Sequence, residues 1–317
     1  MRILLASTHR YPASVGGLAG NRILDWLANG LAELGHTVYY LLKDGAAFPL
    51  PEPIELVTEV PPSLDIVHAQ DDSTFECLGI TGIPWVRTCH VDIRLHGKEV
   101  SRAKENWIYV SRTLAQTYGS TRYVTNGIHP AEYFYSETKG DYFLFVSGLE
   151  RAISKGLLIA LELAQRAGVP LVVAGSSWNK ELVAEIADLC RRSGACYVGE
   201  VYGAEKARLF AEARALLFPT QWNESFGVVM AEALMSGTPV ICSHHGACPE
   251  LISPDVGFVC ADEHDYLRAF REIRSISPKA CRAKAMRDFH YRRMSADYVR
   301  LYEQTIASYA QHGAEVT

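Results

Sequence analysis

The chain has 317 residues, 48% hydrophobic and 21% charged, which suits two domains of a globular protein and excludes a disordered chain. Its formal net charge of −5 comes without a Lys/Arg block, which argues against nucleic acid as a partner, because phosphate neutralisation needs a basic face. The eight cysteines make no CxxC pair and several lie in apolar runs such as Val240-Ile-Cys242, a pattern of buried free thiols in a reducing compartment rather than of zinc or disulfides.

In chain order, residues 3–6 form an apolar run too short for a signal peptide and read as a first buried strand. Residues 20–34 read as a helix whose apolar stripe is Ile23, Leu24, Leu27, Leu31 and Leu34, stopped by Gly35. Short strands are predicted at 37–42, 65–69, 85–88, 107–110 and 122–125. A second series follows from Tyr142, with strands at 143–147, 171–174, 195–198, 215–218, 240–242 and 257–259. Between them lie helical segments at 157–167, 180–192, 203–213 and 227–235, and the pattern is helical from Asp265 to about Ala310. Such alternation means βα units and parallel sheets covered by helices. The polar stretch 132–141, with Gly140, follows the turn Asn126-Gly-Ile-His-Pro130 and marks a boundary. The predicted domains are 1–138, 139–285 and a helical segment 286–317 packing back on the first. No window approaches the roughly 18 apolar residues of a membrane span, so a cytoplasmic location without firm membrane association is expected.

The chemistry concentrates near Glu224 and Glu232. Residues 227–235 are good helix formers with Gly237-Thr-Pro239 as a stop, so Glu232 sits inside a helix and Glu224 in the loop before it. The amides of Ser225, Phe226 and Gly227 then lie at the helix N-terminus, where a diphosphate can bind. Two glutamates alone fit better with a solvated helix start, which favours negative charge.

The longer run Phe218-Pro-Thr-Gln-Trp-Asn-Glu-Ser-Phe-Gly-Val-Val-Met-Ala-Glu-Ala-Leu-Met-Ser-Gly-Thr-Pro-Val240 resembles the E-x7-E block of glycosyltransferase family 4, the retaining group 1 enzymes. His245-Gly-Ala-Cys-Pro-Glu250 looks like that family's Gly-x-x-Pro-Glu loop. The resemblance implies an α/β GT-B fold, two Rossmann-like doubly wound domains facing a cleft. It assigns Glu224 to hydroxyls of a donor sugar and Glu232 to the ribose. Ser147-Gly-Leu-Glu-Arg-Ala-Ile-Ser-Lys-Gly156 occupies the place of the family's Gly-Arg-Leu…Lys-Gly motif, so Lys155 becomes a cation for the diphosphate. Gly148 stands where the family's arginine is common, and Arg151 is offered as its substitute.

Further positions follow the same order. Val124-Thr-Asn126-Gly resembles the Asn-Gly segment ahead of the interdomain linker, although Asn-Gly also makes a tight turn on local grounds. Val173-Ala-Gly175-Ser resembles the family's Ala-Gly strand ending near the donor, and Gly199-Glu-Val201 lies where the family meets the base. Val15-Gly-Gly-Leu-Ala-Gly20 resembles the family's Gly-Gly loop, with Gly16 and Gly17 near the diphosphate and acceptor; Val15 breaks a dinucleotide fingerprint. His90 follows a buried strand at its carboxyl end, where α/β sites form, and the family often has a histidine there. His68 reads as structural.

The implied activity is transfer of a hexose, by default glucose, from a nucleotide sugar, by default UDP-linked, to an unidentified hydroxyl acceptor. Its route is a front-face one with retention. No Asp-x-Asp motif adjoins the donor site, and the contiguous Asp71-Asp72 lies in the other half, so no metal and no cofactor are expected. A sugar-nucleotide epimerase of the same fold is the alternative, although no convincing proton-abstracting carboxylates appear in the N-terminal half. A nicotinamide oxidoreductase is less favoured because of Val15 and the E-x7-E block.

Overall fold

The computed structural model describes residues 1–6, 19–41, 54–70, 72–96 and 105–314. In chain order these residues form β1 (Arg2–Ala6), α1 (Ala19–Glu33), β2 (Thr37–Leu41), β3 (Ile54–Val57), β4 (Ile66–Ala69), α2 (Asp72–Cys77), β5 (Trp85–Cys89), β6 (Trp107–Tyr109) and α3 (Arg112–Thr117). There follow β7 (Phe143–Val146), α4 (Leu157–Ala167), β8 (Leu171–Ala174), α5 (Lys180–Arg192), β9 (Cys196–Gly199), α6 (Gly203–Glu212), β10 (Ala215–Phe218) and α7 (Val228–Met235). Last come β11 (Val240–Ser243), α8 (Cys248–Leu251), β12 (Gly257–Cys260), α9 (Glu263–Glu272), α10 (Pro278–Asp288) and α11 (Tyr291–Ala314).

The chain divides into unit 1, Met1–Ile128 with Phe289–Thr317, and unit 2, His129–Asp288. Each holds a six-stranded sheet of parallel strands. The order is β3-β2-β1-β4-β5-β6 in unit 1 and β12-β11-β10-β7-β8-β9 in unit 2. Read from its far edge, the second sheet repeats the first, with the winding direction reversing between β1 and β4 and between β7 and β10. Strands such as β10, Ala-Leu-Leu-Phe, are buried at every position because helices cover both faces.

In unit 2, Phe145, Leu157, Leu161, Val173, Ile186, Leu217 and Ile241 fill one cluster, which Phe270 closes edge-to-face on Phe143 at 4.7 Å. In unit 1, Leu4, Tyr39, Leu64 and Val67 pack beneath the stacked pair Phe75 and Trp85. The closing helix α11 returns to α1, and Gly30 lets the two approach: a Cβ there would lie 2.1 Å from the Ser295 hydroxyl oxygen.

The unit boundary falls between Ile128 and His129, ten residues before the predicted 138/139 break. Residues 129–141 pack with unit 2. Lys139 Nζ donates to Ala211 O at 2.8 Å, Ser236 O at 3.1 Å and Thr238 Oγ1 at 2.8 Å, and Gly140 N donates to Glu212 O at 2.6 Å. The stretch is polar because its side chains and amides serve as a seam. The second crossing lies after Asp288 rather than at 285. Ile128 N donates to Phe289 O at 2.8 Å and Tyr291 N to Ile128 O at 3.1 Å, so incoming and outgoing chain are bonded together within unit 1.

Local expectations differ from the structure in a few places. Residues 122–125 make only a bridge, Tyr109 to Tyr123, and β3, α2 and α3 are short elements that periodicity did not resolve. The eight cysteines are free, with Cys77 and Cys196 exposed rather than buried. Among the described residues no helix is long and apolar enough to cross a membrane.

His68 on β4 is fully buried and structural. Its ring nitrogens lie 2.6 Å from Tyr302 Oη and 2.7 Å from Thr88 Oγ1, and Thr88 Oγ1 lies 2.7 Å from Tyr298 Oη, so the network joins β4, β5 and α11. Burial, with a smaller contribution from His90, pushes the His68 imidazole from 6.5 down to about 3. The folded ring stays neutral while the unfolded one takes up a proton. Stability from this group is therefore fully present above 6.5 and lost as pH falls towards 3. Urea unfolding below the unfolded value should show stability falling by about 1.4 kcal/mol per pH unit from this ring. His68→Gln should flatten that slope, and equal slopes for the two proteins would refute the assignment.

Candidate active site

In a doubly wound sheet, neighbouring crossovers leave the sheet on opposite faces where the strand order reverses, and the carboxyl ends of those strands open a crevice. In unit 2 these are the ends of β7 and β10. The loop after β7 runs through a 3-10 turn at Leu149–Arg151 to Lys155 and Gly156, and the loop after β10 runs from Pro219 to Gly227. The two loops are bonded: Gln221 N donates to Ser154 O at 3.0 Å. Gly156 has φ 89°, and a Cβ on it would fall 2.0 Å from Pro219 O, so only glycine fits.

This arrangement brings Lys155 and Glu224 together. The Lys155 ammonium forms an ion pair with Glu224 Oε2 and lies 5.5 Å from the Phe218 ring centroid. The side chains are 15% and 10% exposed, so the charges attract through a medium much less screening than water. The Glu224 backbone is fixed by the loop after β11, where Ala247 N donates to Glu224 O at 2.8 Å. Gly246, at φ 61°, presses so closely that a Cβ would sit 2.3 Å from both Glu224 N and Glu224 O. That is the Gly-x-x-Pro-Glu segment, and its contribution here is close approach to the glutamate.

Ser225 and Phe226 are buried in the turn that enters α7. Gly227, expected as the first helical residue, is instead the N-cap of α7 with φ 82° and no side-chain cap. Glu232 lies inside α7 and is buried. Its Oε1 accepts from Tyr133 Oη at 2.6 Å and from Lys206 Nζ at 2.8 Å. Its Oε2 is buried with no hydrogen-bond partner among the described residues. Each glutamate of the pair therefore has its own lysine.

Gly175, at the end of β8, holds neighbouring loops together. A Cβ would lie 1.9 Å from Ser147 O, its N–H donates to Gly199 O at 2.9 Å, and its carbonyl accepts from Tyr197 Oη at 2.8 Å. Val201 follows β9 and is half-buried. Arg151 is exposed at the end of the 3-10 turn, and its carbonyl accepts from Lys155 N at 2.8 Å.

Two predicted residues belong to unit 1. His90, at the end of β5, has Nε2 2.8 Å from Gln70 Oε1, and burial, then the charge of Arg87, pushes its imidazole down to about 4. Asn126 is buried, and its Oδ1 has no hydrogen-bond partner among the described residues. Gly16 and Gly17 lie outside the described residues.

Asp262, His264 and Asp265 bring possible metal-ligating atoms within 4.8 Å of one another at the start of α9. Local capping accounts for the two aspartates, since Asp262 Oδ1 accepts from Asp265 N at 3.0 Å and Asp265 Oδ2 from Ala261 N at 3.0 Å. Motif spacing gave no sign of Lys206 or Tyr133. Lys206 sits on α6 among surface residues, 26 positions from its partner, and only the packing of α6 beside α7 reveals it.

Comparison with known proteins accords with this architecture. Residues 134–287 match the family described as glycosyl transferases group 1. An O-antigen chain mannosyltransferase B of Escherichia coli is 32% identical over 130 residues, which is 39% of this chain and 33% of that protein. A D-rhamnosyltransferase of Pseudomonas aeruginosa is 30% identical over 216 residues, 58% of this chain and 53% of that protein. The matches thus span only about a third to a half of those curated relatives. Among solved structures, a glycosyltransferase of avilamycin A biosynthesis superposes with a TM-score of 0.78 at 25% identity, covering 97% of this chain and 98% of the other. Sucrose-phosphate synthase from Thermosynechococcus elongatus gives 0.74 at 18% identity, with 97% and 99% coverage. An Anabaena protein solved with UDP and glucose gives 0.71 at 16% identity, with 96% and 100% coverage. The chain has a two-domain α/β GT-B fold, and its residues 134–287 are similar to the group 1 glycosyl transferases.

Proposed function

We propose that the protein is a retaining glycosyltransferase that moves a hexose from a nucleotide sugar to a hydroxyl acceptor without a metal ion. The observation that carries this reading is the Lys155–Glu224 ion pair at the strand-order reversal, just before the helix α7 that holds the buried Glu232 carboxylate with its unpaired oxygen. A diphosphate at this point meets the Lys155 ammonium and the N-terminus of α7, both suited to negative charge. Glu224 accepts from sugar hydroxyls and Glu232 from the ribose.

The chemistry is a displacement at the anomeric carbon. Its bond to the diphosphate oxygen breaks, and that oxygen keeps the electron pair. The acceptor hydroxyl oxygen bonds to the same face, and its proton passes to the departing phosphate. Charge builds on the leaving oxygen, which is where the Lys155 cation acts and why no Lewis acid is required. Arg151, beside Lys155 in the same loop, is a second cation for the diphosphate. His90, in unit 1, keeps a neutral imidazole above about 4, and the resemblance gives it a sugar-contacting role.

The donor is the first thing to establish. UDP-glucose leads the panel, and mannose- and rhamnose-bearing nucleotide sugars join it because of the two transferases in the comparison. Nucleotide release that depends on an added hydroxyl acceptor supports transfer. Conversion of the free nucleotide sugar without an acceptor would indicate an epimerase.

Glu232→Ala should weaken nucleotide binding by about 1.5–3 kcal/mol, the scale of a hydrogen bond to a charged group. Calorimetric titration of the nucleoside diphosphate checks this, and unchanged affinity would remove the ribose assignment. Lys155→Ala should lower kcat by about a hundredfold, as when one donor to a developing oxyanion is lost. A melting curve should move only a few degrees, by roughly the amount expected for losing about 1 kcal/mol. A variant that turns over at the parental rate would sink the role given to Lys155.

A further inference from the structure

The proposed ribose contact has a support that the motif does not contain. Glu232 Oε1 already holds two donors, the Tyr133 phenol at 2.6 Å and the Lys206 ammonium at 2.8 Å. Both come from outside α7: Tyr133 from the segment that opens unit 2, and Lys206 from α6. Lys206 is itself seated, with Nζ 5.7 Å from the Phe210 ring centroid and its side chain 21% exposed. Glu232 is 3% exposed, and its second oxygen has no hydrogen-bond partner among the described residues.

A carboxylate offers about four acceptor positions, two on each oxygen. Two donors on one oxygen break the equivalence of the pair and hold the group in a single rotation about its terminal bond. As a carboxylate the group accepts and does not donate. What remains is a single buried acceptor, and a buried acceptor without a donor costs free energy until a ligand supplies one. A hydroxyl satisfies it, whereas a hydrogen in the hydroxyl's place leaves it unmet.

We infer that Lys206, assisted by Tyr133, is a positioning residue that confines Glu232 to one free oxygen and so makes the site select ribose over deoxyribose. This rests on the reading of Glu232 as a nucleotide contact. Lys206 does not touch the ligand; it acts through the carboxylate. The site then distinguishes nucleotides by one hydroxyl rather than by overall shape.

The test titrates the full chain with UDP, GDP and ADP, each against its 2′-deoxy and 3′-deoxy form. Wild-type protein should bind its preferred ribonucleotide at least about tenfold more tightly than one of the two deoxy forms, the loss expected when a buried charged acceptor goes unpaired. Lys206→Met should bring the ratio close to one, Tyr133→Phe should lower it part of the way, and Lys206→Arg should restore it. If Lys206→Met does not fold, Lys206→Ala, which also removes the donor, takes its place with the same expected drop. A full ribose-to-deoxyribose ratio in Lys206→Met, or in Lys206→Ala where that variant replaces it, overturns the inference and leaves the Glu232 assignment standing. No discrimination in the wild-type protein, or no binding of any of the three diphosphates, overturns that assignment and the inference together.

Discussion

The reversal of strand order between β7 and β10 is the constraint on which unit 2 depends. It sends the connections that leave β7 and β10 to opposite faces of the sheet and leaves their loops side by side at the carboxyl ends. Everything chemical follows from filling that gap. Gly156 against Pro219 and Gly246 against Glu224 bring backbone to backbone at distances no side chain allows. Only then does the Lys155 ammonium reach the Glu224 carboxylate. The order of effects is topology, then glycine, then charge.

The two glutamates of one motif end in different electrostatic settings. Glu224 shares a partly open loop with a single lysine, so a ligand can compete for either partner. Glu232 is enclosed in α7, with one oxygen saturated and the other bare. The first setting suits a group that must exchange partners during a reaction. The second suits a fixed recognition point. Breaking a buried pair by removing one partner costs more than the pair contributes, which makes the Lys206–Glu232 contact a rigid element.

Much of this was legible in the sequence, for definable reasons. Strands buried on both faces are continuous apolar runs, so β7, β8, β10 and β11 declared themselves. The E-x7-E block carried both glutamates, and the Lys155-Gly156 pair was visible within its loop. The domain boundary was not, because polarity and Gly140 imitate a linker, whereas Lys139 and Gly140 are hydrogen-bonded into unit 2. Short elements such as α2 and α3 span fewer than two turns and leave no period to read. Lys206 and Tyr133 were invisible because their meaning depends on a partner far along the chain.

The return of α11 to unit 1 has a consequence for how the molecule comes into being. Unit 2 is one continuous stretch, residues 129–288, and holds all of its own strands when Asp288 has been added. Unit 1 lacks its final helix until residues 291–314 have been synthesised, so Gly30 lacks its Ser295 neighbour and His68 its Tyr302 partner until then. Domains fold as units as the chain emerges, generally N-terminal first. Here the order of completion is inverted: the part whose synthesis starts first is finished last, and unit 2 can emerge from the ribosome whole while unit 1 still lacks α11.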